Sequence, residues 1–473
     1  MKDKKKKIII SFDDIDTVRG GCTTHFAATI IKLFLSKGWE LVDYPYLVRL
    51  NPDIPWKTRG NAAIAIILTK ENGESLNHIS NVIEKELKKY ISSNEPVMGN
   101  SQPTFLVADY NYLYIYAEFF HKLYKTALKK NLNVKKIEKE LSETYKNVDR
   151  KIIIKSIFGN RGVIGALASI GFIFGHEDYT FELLAYTKNK NKDTRYLTEL
   201  YQFFLKHEDL TTFNNIDIYS RKSIITPHGP DPVLFGLRGN NPLILLHLFH
   251  RIIKYFGAAV DSWIIFKTNQ GTDAHHVIDN RLSSYSLLYS QYDAIGWKIK
   301  KEKILPSGHH IYKVAIIDQI SLSTRNFDLS SYRESLKMRD ILEKINDKHL
   351  FLILGNLRPF YKTSETTINL EKNYVIYSRA RYNHVKPLCI KCFNHLESTG
   401  KDGYFRCRKC RYRMKIREKV KLVMKSTITP TVLHEPPMYQ RHLTKPLRRF
   451  GREEISKSSE AEEIILKIMN KYV

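Results

Sequence analysis

At 473 residues the chain is long enough for about three or four domains, and a hydrophobic content of 43% fills real cores and excludes wholesale disorder. Lysine and arginine number 76 against 49 aspartates and glutamates, a net charge of +27, which points to a polyanionic partner, nucleic acid before membrane. The longest apolar run, residues 163–175, is broken by Gly165, Ser169 and Gly171, and nothing reaches the roughly 18 apolar residues of a membrane span.

The first residues, MKDKKKK, have the charge of a signal n-region, but Ile8–Phe12 is too short for its apolar core of ~7–15 residues. A cytoplasmic protein is expected, with no membrane and no protein partner implied. Residues 8–12 read as a buried strand. Three carboxylates follow, Asp13, Asp14 and Asp16, then Gly20-Gly21 and Cys22-Thr23-Thr24, and from His25 to Lys37 apolar residues recur at helical spacing. Carboxylates at a strand end suit magnesium, which binds through one or two carboxylates and substrate phosphates. A helix N-terminus offers N–H groups to a phosphate, and Thr23 or Thr24 at or near the N-cap adds a hydroxyl at the same spot. The same residues also make an ordinary polar turn and helix cap. There is no GxxxxGK[ST], which sets the loop apart from an ordinary P-loop.

Residues 40–50 and 62–68 read as strands, and the loop between them, NPDIPWKTRGN, carries Lys57 and Arg59. It is either a solvated connection or a basic loop reaching toward phosphates. A helix is expected over 74–92, a strand at TFLVAD, a tyrosine-rich helix over 111–130 and a charged one over 129–149. GNRGVIGALASIGF, residues 159–172, sets glycines before a small-residue helix. Arg161 and Gly162 are candidate phosphate contacts, and close helix packing explains the glycines equally well. A turn with Glu177 and Asp178 leads to a strand containing Glu182.

Residues 216–275 read as strand, helix and strand with long loops, a pattern that suits a ferredoxin-like unit. The stiff TPHGPDP loop there carries His228 and Asp231, with Arg238 beyond it; such loops position side chains well. From 284 to about 379 short alternating strands with one helix, 330–345, suit an OB-like barrel that binds nucleic acid on one face.

Cys389, Cys392, Cys407 and Cys410 form CxxC-x14-CxxC, the spacing of a closed, structural tetrahedral Zn2+ site. Residues 401–425 hold eleven Lys or Arg and two acids, with Tyr404, Phe405 and Tyr412 interleaved, a surface suited to RNA. A Pro- and Arg-rich stretch and a charged helix end the chain. An ATP-dependent enzyme acting on RNA fits this order best. A non-catalytic RNA-binding protein and a metal-dependent nuclease are the other readings.

The strand, Asp-Asp-x-Asp, glycine and Cys-Thr-Thr order, the Pro-Trp-Lys-Thr-Arg-Gly-Asn loop, the Gly-Asn-Arg-Gly segment and the CxxC pair together resemble the archaeal tRNA(Ile) 2-agmatinylcytidine synthetases, the agmatidine synthases. Ile15 stands where that family usually has threonine. The resemblance implies a multidomain α/β protein. Residues 1–205 would form an ATP-binding, kinase-like catalytic domain, 206–280 a ferredoxin-like domain, 281–380 an OB-fold, 381–425 a zinc ribbon and 426–473 a basic extension. It implies ligation of agmatine to the wobble cytidine of the CAU-anticodon isoleucine tRNA. ATP would leave as AMP and phosphate, after phosphorylation of the cytidine carbonyl oxygen. Asp13, Asp14 and Asp16 would hold Mg2+, and Thr23 matches the family's phosphorylated threonine. Thr24, Lys57, Arg59, Arg161 and Gly162 would lie along ATP. Asp178, Glu182, His228 and Asp231 are the candidates for the amine.

Overall fold

In the computed structural model, strands from both sides of residue 205 share one sheet. Residues 5–473 are described, apart from 18–19, 58–59, 94–100, 145–150, 176, 188–195, 208–210, 228–231, 258–259, 277–281, 283–285, 287, 319–322, 332–338, 341, 344, 346–348, 360–365, 379–380, 385–386, 401–403, 416–419, 424–431, 435 and 455–456. Most of the helix expected over 330–345 therefore lies outside the described residues.

The chain opens with β1 (Lys5–Asp13), α1 (Thr23–Ser36), β2 (Glu40–Leu41), β3 (Tyr46–Arg49), β4 (Ala62–Glu71) and α2 (Leu76–Ser93). β5 (Thr104–Asp109), α3 (Tyr110–Tyr114), α4 (Ala117–Ala127), α5 (Val134–Thr144), β6 (Ile152–Ser156), α6 (Val163–Phe174) and β7 (Thr180–Tyr186) follow. The tyrosine-rich stripe expected as one helix is thus two, parted at Ile115 and Tyr116. Next come α7 (Tyr196–His207), a small ribbon of β8 (Ile216–Asp217) and β9 (Lys222–Ser223), then β10 (Val233–Gly239), α8 (Pro242–Phe256) and β11 (Ser262–Thr268).

The sheet order is β10-β7-β11-β3-β4-β1-β5-β6, with β2 also on β4. Every pairing is antiparallel except β11 with β3. β7 lies between β10 and β11, so the sheet crosses the expected limit at 205 and the strand–helix–strand after it is no detached unit. Both faces are covered. Ile8, Ile10 and Phe12 of β1 pack with α1, α2 and α8, and Ile9 packs with α4, α5 and α6 on the other side. A strand buried on both faces loses polar alternation, which accounts for the isoleucine run. Each such side chain contributes about 1.5–3 kcal/mol on burial.

α8 shows how local sequence sets the helix ends. Asn241 caps it by accepting from the N–H groups of Leu243 and Ile244 at 2.9 and 3.4 Å. Pro242 occupies the first turn, where its missing N–H costs nothing, and Gly257 ends it at φ 61°. α6 is made of small residues because it lies against α4: a Cβ on Gly171 would sit 1.9 Å from the carbonyl oxygen of Phe120.

The second body is a barrel of β12 (Ser290–Ile304), β13 (His310–Ile317), β14 (Thr324–Ser331), β15 (His349–Pro359) and β16 (Thr366–Ser378). It runs β14-β13-β12-β15-β16 and closes through a parallel β14–β16 pairing, so these five strands leave no open edge between them. Tyr312, Val314, Phe351, Ile353 and Leu370 are among its core residues. β17 (Arg381–His384) pairs with β21 (Val420–Val423), flanking the three-stranded ribbon β18 (Leu396–Ser398), β19 (Tyr404–Cys407) and β20 (Arg413–Lys415). β22 (Val432–His434) adds to β16.

The chain then returns to the large sheet. The carbonyls of His442 and Leu443 accept from the N–H groups of Gly271 and Asp273, both at 2.8 Å. The last helix, α9 (Ser459–Tyr472), buries Ile465 and Met469 in the core that holds α1 and α8. Tyr44 donates to the Glu462 carbonyl at 2.7 Å. No helix among the described residues is long and apolar enough to cross a membrane.

Candidate active site

β1 delivers Asp13 to the edge of the sheet beside Thr104 of β5. Asp14 then takes a left-handed backbone, φ 59°, a conformation aspartate adopts more readily than most residues. Its N–H donates to Asp13 Oδ1 at 2.7 Å. Thr17 closes the turn on Gly20, N to O at 3.0 Å, and Gly21 at φ 72° leads into α1. The N-cap of α1 is Cys22, without a side-chain cap, so Thr23 and Thr24 are the first two helical residues rather than the cap itself. Asp16 reaches across: Thr23 N donates to Asp16 Oδ1 at 3.2 Å, and Thr23 Oγ1 donates to Oδ2 at 3.1 Å. One carboxylate thus holds both the first helical N–H and the hydroxyl. Thr24 Oγ1 lies 3.0 Å from Cys22 Sγ.

Arg161 comes from the turn before α6, and it faces a carboxylate. Its Nε donates to Asp14 Oδ2 at 2.8 Å and Nη2 lies 2.6 Å from the same oxygen. Gln102 fixes the pair: its N–H donates to Asp14 Oδ2 at 3.0 Å, and its Oε1 accepts from Arg161 N at 2.9 Å. The glycines of this segment permit close approach. A Cβ on Gly165 would sit 2.0 Å from Asp13 Oδ2, and one on Gly162 would sit 2.8 Å from Thr104 Oγ1.

These contacts set the electrostatics. Burial and the adjacent Asp14 hold the Asp13 carboxyl well above the ordinary carboxylate range. Burial also raises Asp14, against the pull of Arg161. A buried pair of carboxylates stabilises a bound cation and is stabilised by it. A cavity of about 110 Å³ opens over them, with Trp56, Lys57, Lys130 and Arg161 in its wall. Burial, then the neighbouring Arg441, lowers the Lys57 pKa. Arg59 lies outside the described residues, as do His228 and Asp231.

The two remaining acidic candidates are already matched by arginines. Asp178 takes both arms of Arg449, at 3.1 and 3.0 Å, and Lys457 at 3.3 Å. It therefore anchors the C-terminal segment. Glu182, 2% exposed, lies 3.4 Å from Arg49 Nη2 and 3.2 Å from Arg238 Nε. Burial lowers the pKa of Arg49, even with Glu182 beside it. Arg49 and burial together push His442 well below the usual imidazole range. Arg238, Arg221, Lys222 and Arg441 line a polar cavity on this side of the sheet.

In the ribbon, Cys389 and Cys410 Sγ are 3.4 Å apart, Cys392 and Cys407 3.3 Å, and Cys392 and Cys410 3.5 Å. These separations far exceed a disulfide bond and suit four thiolates around one ion. The Asn394 amide, donating to Cys392 Sγ, brings that thiol down to about 6.

Gln102, Gly165, Arg49 and His442 are absent from the site as read in sequence. Gly165 belongs to the glycine segment already marked in sequence, though not as a neighbour of Asp13; the partners of Gln102, Arg49 and His442 lie in other elements, and no local pattern marks those three.

Residues 9–97 match the TiaS TCKD domain family, 160–275 the TiaS FLD domain and 386–427 the TiaS C-terminal zinc ribbon domain. The tRNA 2-agmatinylcytidine synthetase TiaS of Staphylothermus marinus is 31% identical over 458 residues, covering 95% of each chain. The chain belongs to the TiaS family. The TiaS of Pyrococcus horikoshii is 30% identical over 93% of this chain and 96% of its own. Among solved structures, a complex of TiaS with tRNA and ATP superposes with a TM-score of 0.68 at 24% identity, covering 94% of this chain and 97% of that one. A complex of TiaS with tRNA, AMPCPP and agmatine gives 0.67 at 22%, with the same coverage. The TiaS fold therefore extends over nearly the whole chain. The FLD match begins at residue 160, upstream of β7, so it includes all three strands of that end of the sheet.

Proposed function

We propose that this chain ligates agmatine to the wobble cytidine of the CAU-anticodon isoleucine tRNA, forming agmatidine so that the tRNA reads AUA. ATP and one water become AMP and two phosphates, one of which leaves from the activated cytidine. A pyrimidine carbonyl oxygen is a poor leaving group. Phosphorylated, it departs as phosphate when the primary amine of agmatine attacks the ring carbon, and the amine's protons pass to solvent. TiaS membership along the full chain supports this reading. The observation that carries it is the grip of one carboxylate, Asp16, on the N–H and hydroxyl of Thr23, beside buried Asp13 and Asp14. Asp16 is placed to accept the proton of Thr23 as that oxygen takes a phosphoryl group.

Asp13, Asp14 and Asp16 fit a magnesium ion: crowded buried carboxylates are hard oxygen donors whose mutual repulsion a divalent charge relieves. When bound, it would neutralise charge on the transferring phosphate. Lys57 and Arg161, both on the cavity wall, with Thr24, Arg59 and Gly162, are the proposed ATP neighbours. Arg161 has to share its guanidinium between Asp14 and a phosphate. Asp178 and Glu182 enter as amine contacts only if agmatine's own guanidinium displaces an arginine, a far heavier demand on Asp178 than on Glu182. His228 and Asp231 remain candidates from their stiff loop.

In domain terms, we read 1–205 as kinase-like and 206–280 as ferredoxin-like, the two sharing one sheet. Residues 281–380 are an OB-fold and 381–425 a Zn2+ ribbon. The ribbon and the 426–473 extension hold the acceptor stem, while the OB-fold handles other parts of the tRNA. The target base leaves its stack to react. Cytoplasm is the compartment this substrate requires.

The test is incubation of the chain with labelled ATP, labelled agmatine and a CAU-anticodon isoleucine tRNA transcript. Agmatine in the tRNA, dependent on ATP, is the expected result. RNA cleavage without ATP, or tight binding with neither outcome, overturns it.

A further inference from the structure

A second cluster of metal-ligating side chains lies outside the first loop, where the large sheet, the barrel and the C-terminal segment meet. After β11 the chain turns through Asp273, His275 and His276. One donor atom from each of the three lies within 4.8 Å of the other two. The imidazoles stack, ring centres 3.9 Å apart, and the side chains of His275 and His276 are 0% and 6% exposed. Glu371 reaches them from β16: its Oε1 lies 2.8 Å from His275 Nε2 and 3.4 Å from His276 Nε2.

Three of the four ring nitrogens, His275 Nδ1 and both of His276, have no hydrogen-bond partner among the described residues. His276 Nδ1 is 3.2 Å from Asp273 Oδ1, so that nitrogen and this carboxylate face the same point. Buried polar atoms left this way favour a site that a ligand completes. The carboxylates, by contrast, are oriented from behind. Thr444 Oγ1 donates to Glu371 Oε1 at 2.7 Å, Gln291 Nε2 donates to Oε2 at 3.2 Å, and Lys445 N donates to Asp273 Oδ1 at 2.6 Å. With Nε2 of His275 donating to Glu371, its Nδ1 lone pair is left for a ligand bond. A carboxylate behind an imidazole is the arrangement that fixes ring and tautomer at a metal. The carboxylates of Asp273 and Glu371 carry a charge of about −2, which one divalent ion balances. Asp273, its side chain 18% exposed, gives an entry path.

We propose that Asp273, His275 and His276 bind a divalent cation of the zinc class, with Glu371 of the barrel holding the His275 ring. Two imidazoles and a carboxylate suit zinc better than magnesium or calcium. The ion is distinct from the one expected in the ribbon and plays no part in the phosphate chemistry.

The experiment is metal analysis of the full chain after incubation with excess Zn2+ and gel filtration. Two zinc ions per chain are expected in the unaltered protein. One is expected in Asp273→Asn, in His276→Gln and in a Cys392→Ser/Cys410→Ser variant. Cobalt added to the cysteine variant should give ligand-field absorption without thiolate charge-transfer bands, a reading that needs no folded histidine variant. One zinc in the unaltered protein, two in Asp273→Asn, or no cobalt absorption in the cysteine variant overturns the proposal.

Discussion

Asp13 lays its carboxylate against the bare Cα of Gly165, close enough that a methyl there would stand 2.0 Å from Oδ2. Gly165 lies inside α6, where alanine is the better helix former by about 1 kcal/mol. Helix propensity and site geometry therefore pull in opposite directions. Gly165→Ala is expected to leave the circular dichroism of the chain unchanged and to cut agmatine incorporation by ~100-fold or more, because displacement of a reacting group by an ångström costs about that much. Activity within twofold of the parent would remove Asp13 from the reaction.

Thr23 separates a structural hydroxyl from a reactive one. Thr23→Ala loses the bond to Asp16 Oδ2, while Thr23→Ser can keep it. The alanine variant is expected to lose modification altogether with tRNA affinity within about twofold, since binding rests on cationic surface elsewhere. The serine variant is expected to retain activity. Phosphopeptide mapping after incubation with ATP gives an independent reading: label on residue 23 in the parent and in serine, none in alanine.

Asp13 also gives a pH dependence with a definite sign. Its native pKa is raised above 3.8, so the native chain keeps a proton that the unfolded chain gives up. Between 3.8 and the raised value its contribution to stability falls as pH rises. Asp13→Asn removes that loss. Without added metal, the variant should melt above the parent at pH 7, and the gap should close near pH 4. Mg2+ should narrow the gap at pH 7 by stabilising the parent alone.

Much of this site is legible from short stretches of the chain, and the reason is locality. β1 announces itself by its unbroken apolar run, α1 by periodicity, the aspartates by adjacency and the ribbon by cysteine spacing. What stays hidden in the sequence depends on contacts between distant positions. Arg161 reads as a phosphate ligand because its partner Asp14 lies 147 residues away. Glu182 reads as a free acid because Arg49 and Arg238 come from other strands. A boundary at 205 looks natural because a strand–helix–strand pattern says nothing of which edge it joins. Here β11 pairs with β3 and β7 fits between β10 and β11. The break in the tyrosine stripe at Ile115 is equally silent, because the apolar spacing continues through it.

Asp178 is expected to matter for stability and not for the amine. Arg449, 1% exposed, gives it both guanidinium arms, and removing one member of a buried pair costs ~3–5 kcal/mol. Arg449→Ala should lower the urea midpoint clearly and expose the C-terminal segment to protease. Asp178→Asn should do so more mildly, because its side chain is 27% exposed and solvent takes up part of the loss. Its KM for agmatine should stay unchanged. A rise in that KM without any loss of stability would return Asp178 to the substrate.

The ribbon and the first loop are built from separate cores, so their failures should separate as well. Stripping the metal from Cys389, Cys392, Cys407 and Cys410 releases a three-stranded sheet whose buried residues are few: Leu396, Phe405 and two of the cysteines. So small a core does not hold its shape without the ion. The Lys and Arg residues it carries then lose their fixed arrangement against phosphates. Chelator treatment is therefore expected to weaken tRNA binding by ~10-fold or more and to flatten its salt dependence, since fewer counterions are released on binding. With a zinc-selective chelator and Mg2+ supplied in excess, phosphorylation of Thr23 by ATP should persist, because the bonds that shape the first loop come from Gln102, Arg161 and Tyr90 and not from the ribbon. Paired titrations of tRNA at two salt concentrations, with and without chelator, measure both effects. Loss of Thr23 labelling together with tRNA binding would mean that the metal supports the catalytic sheet as well as the ribbon.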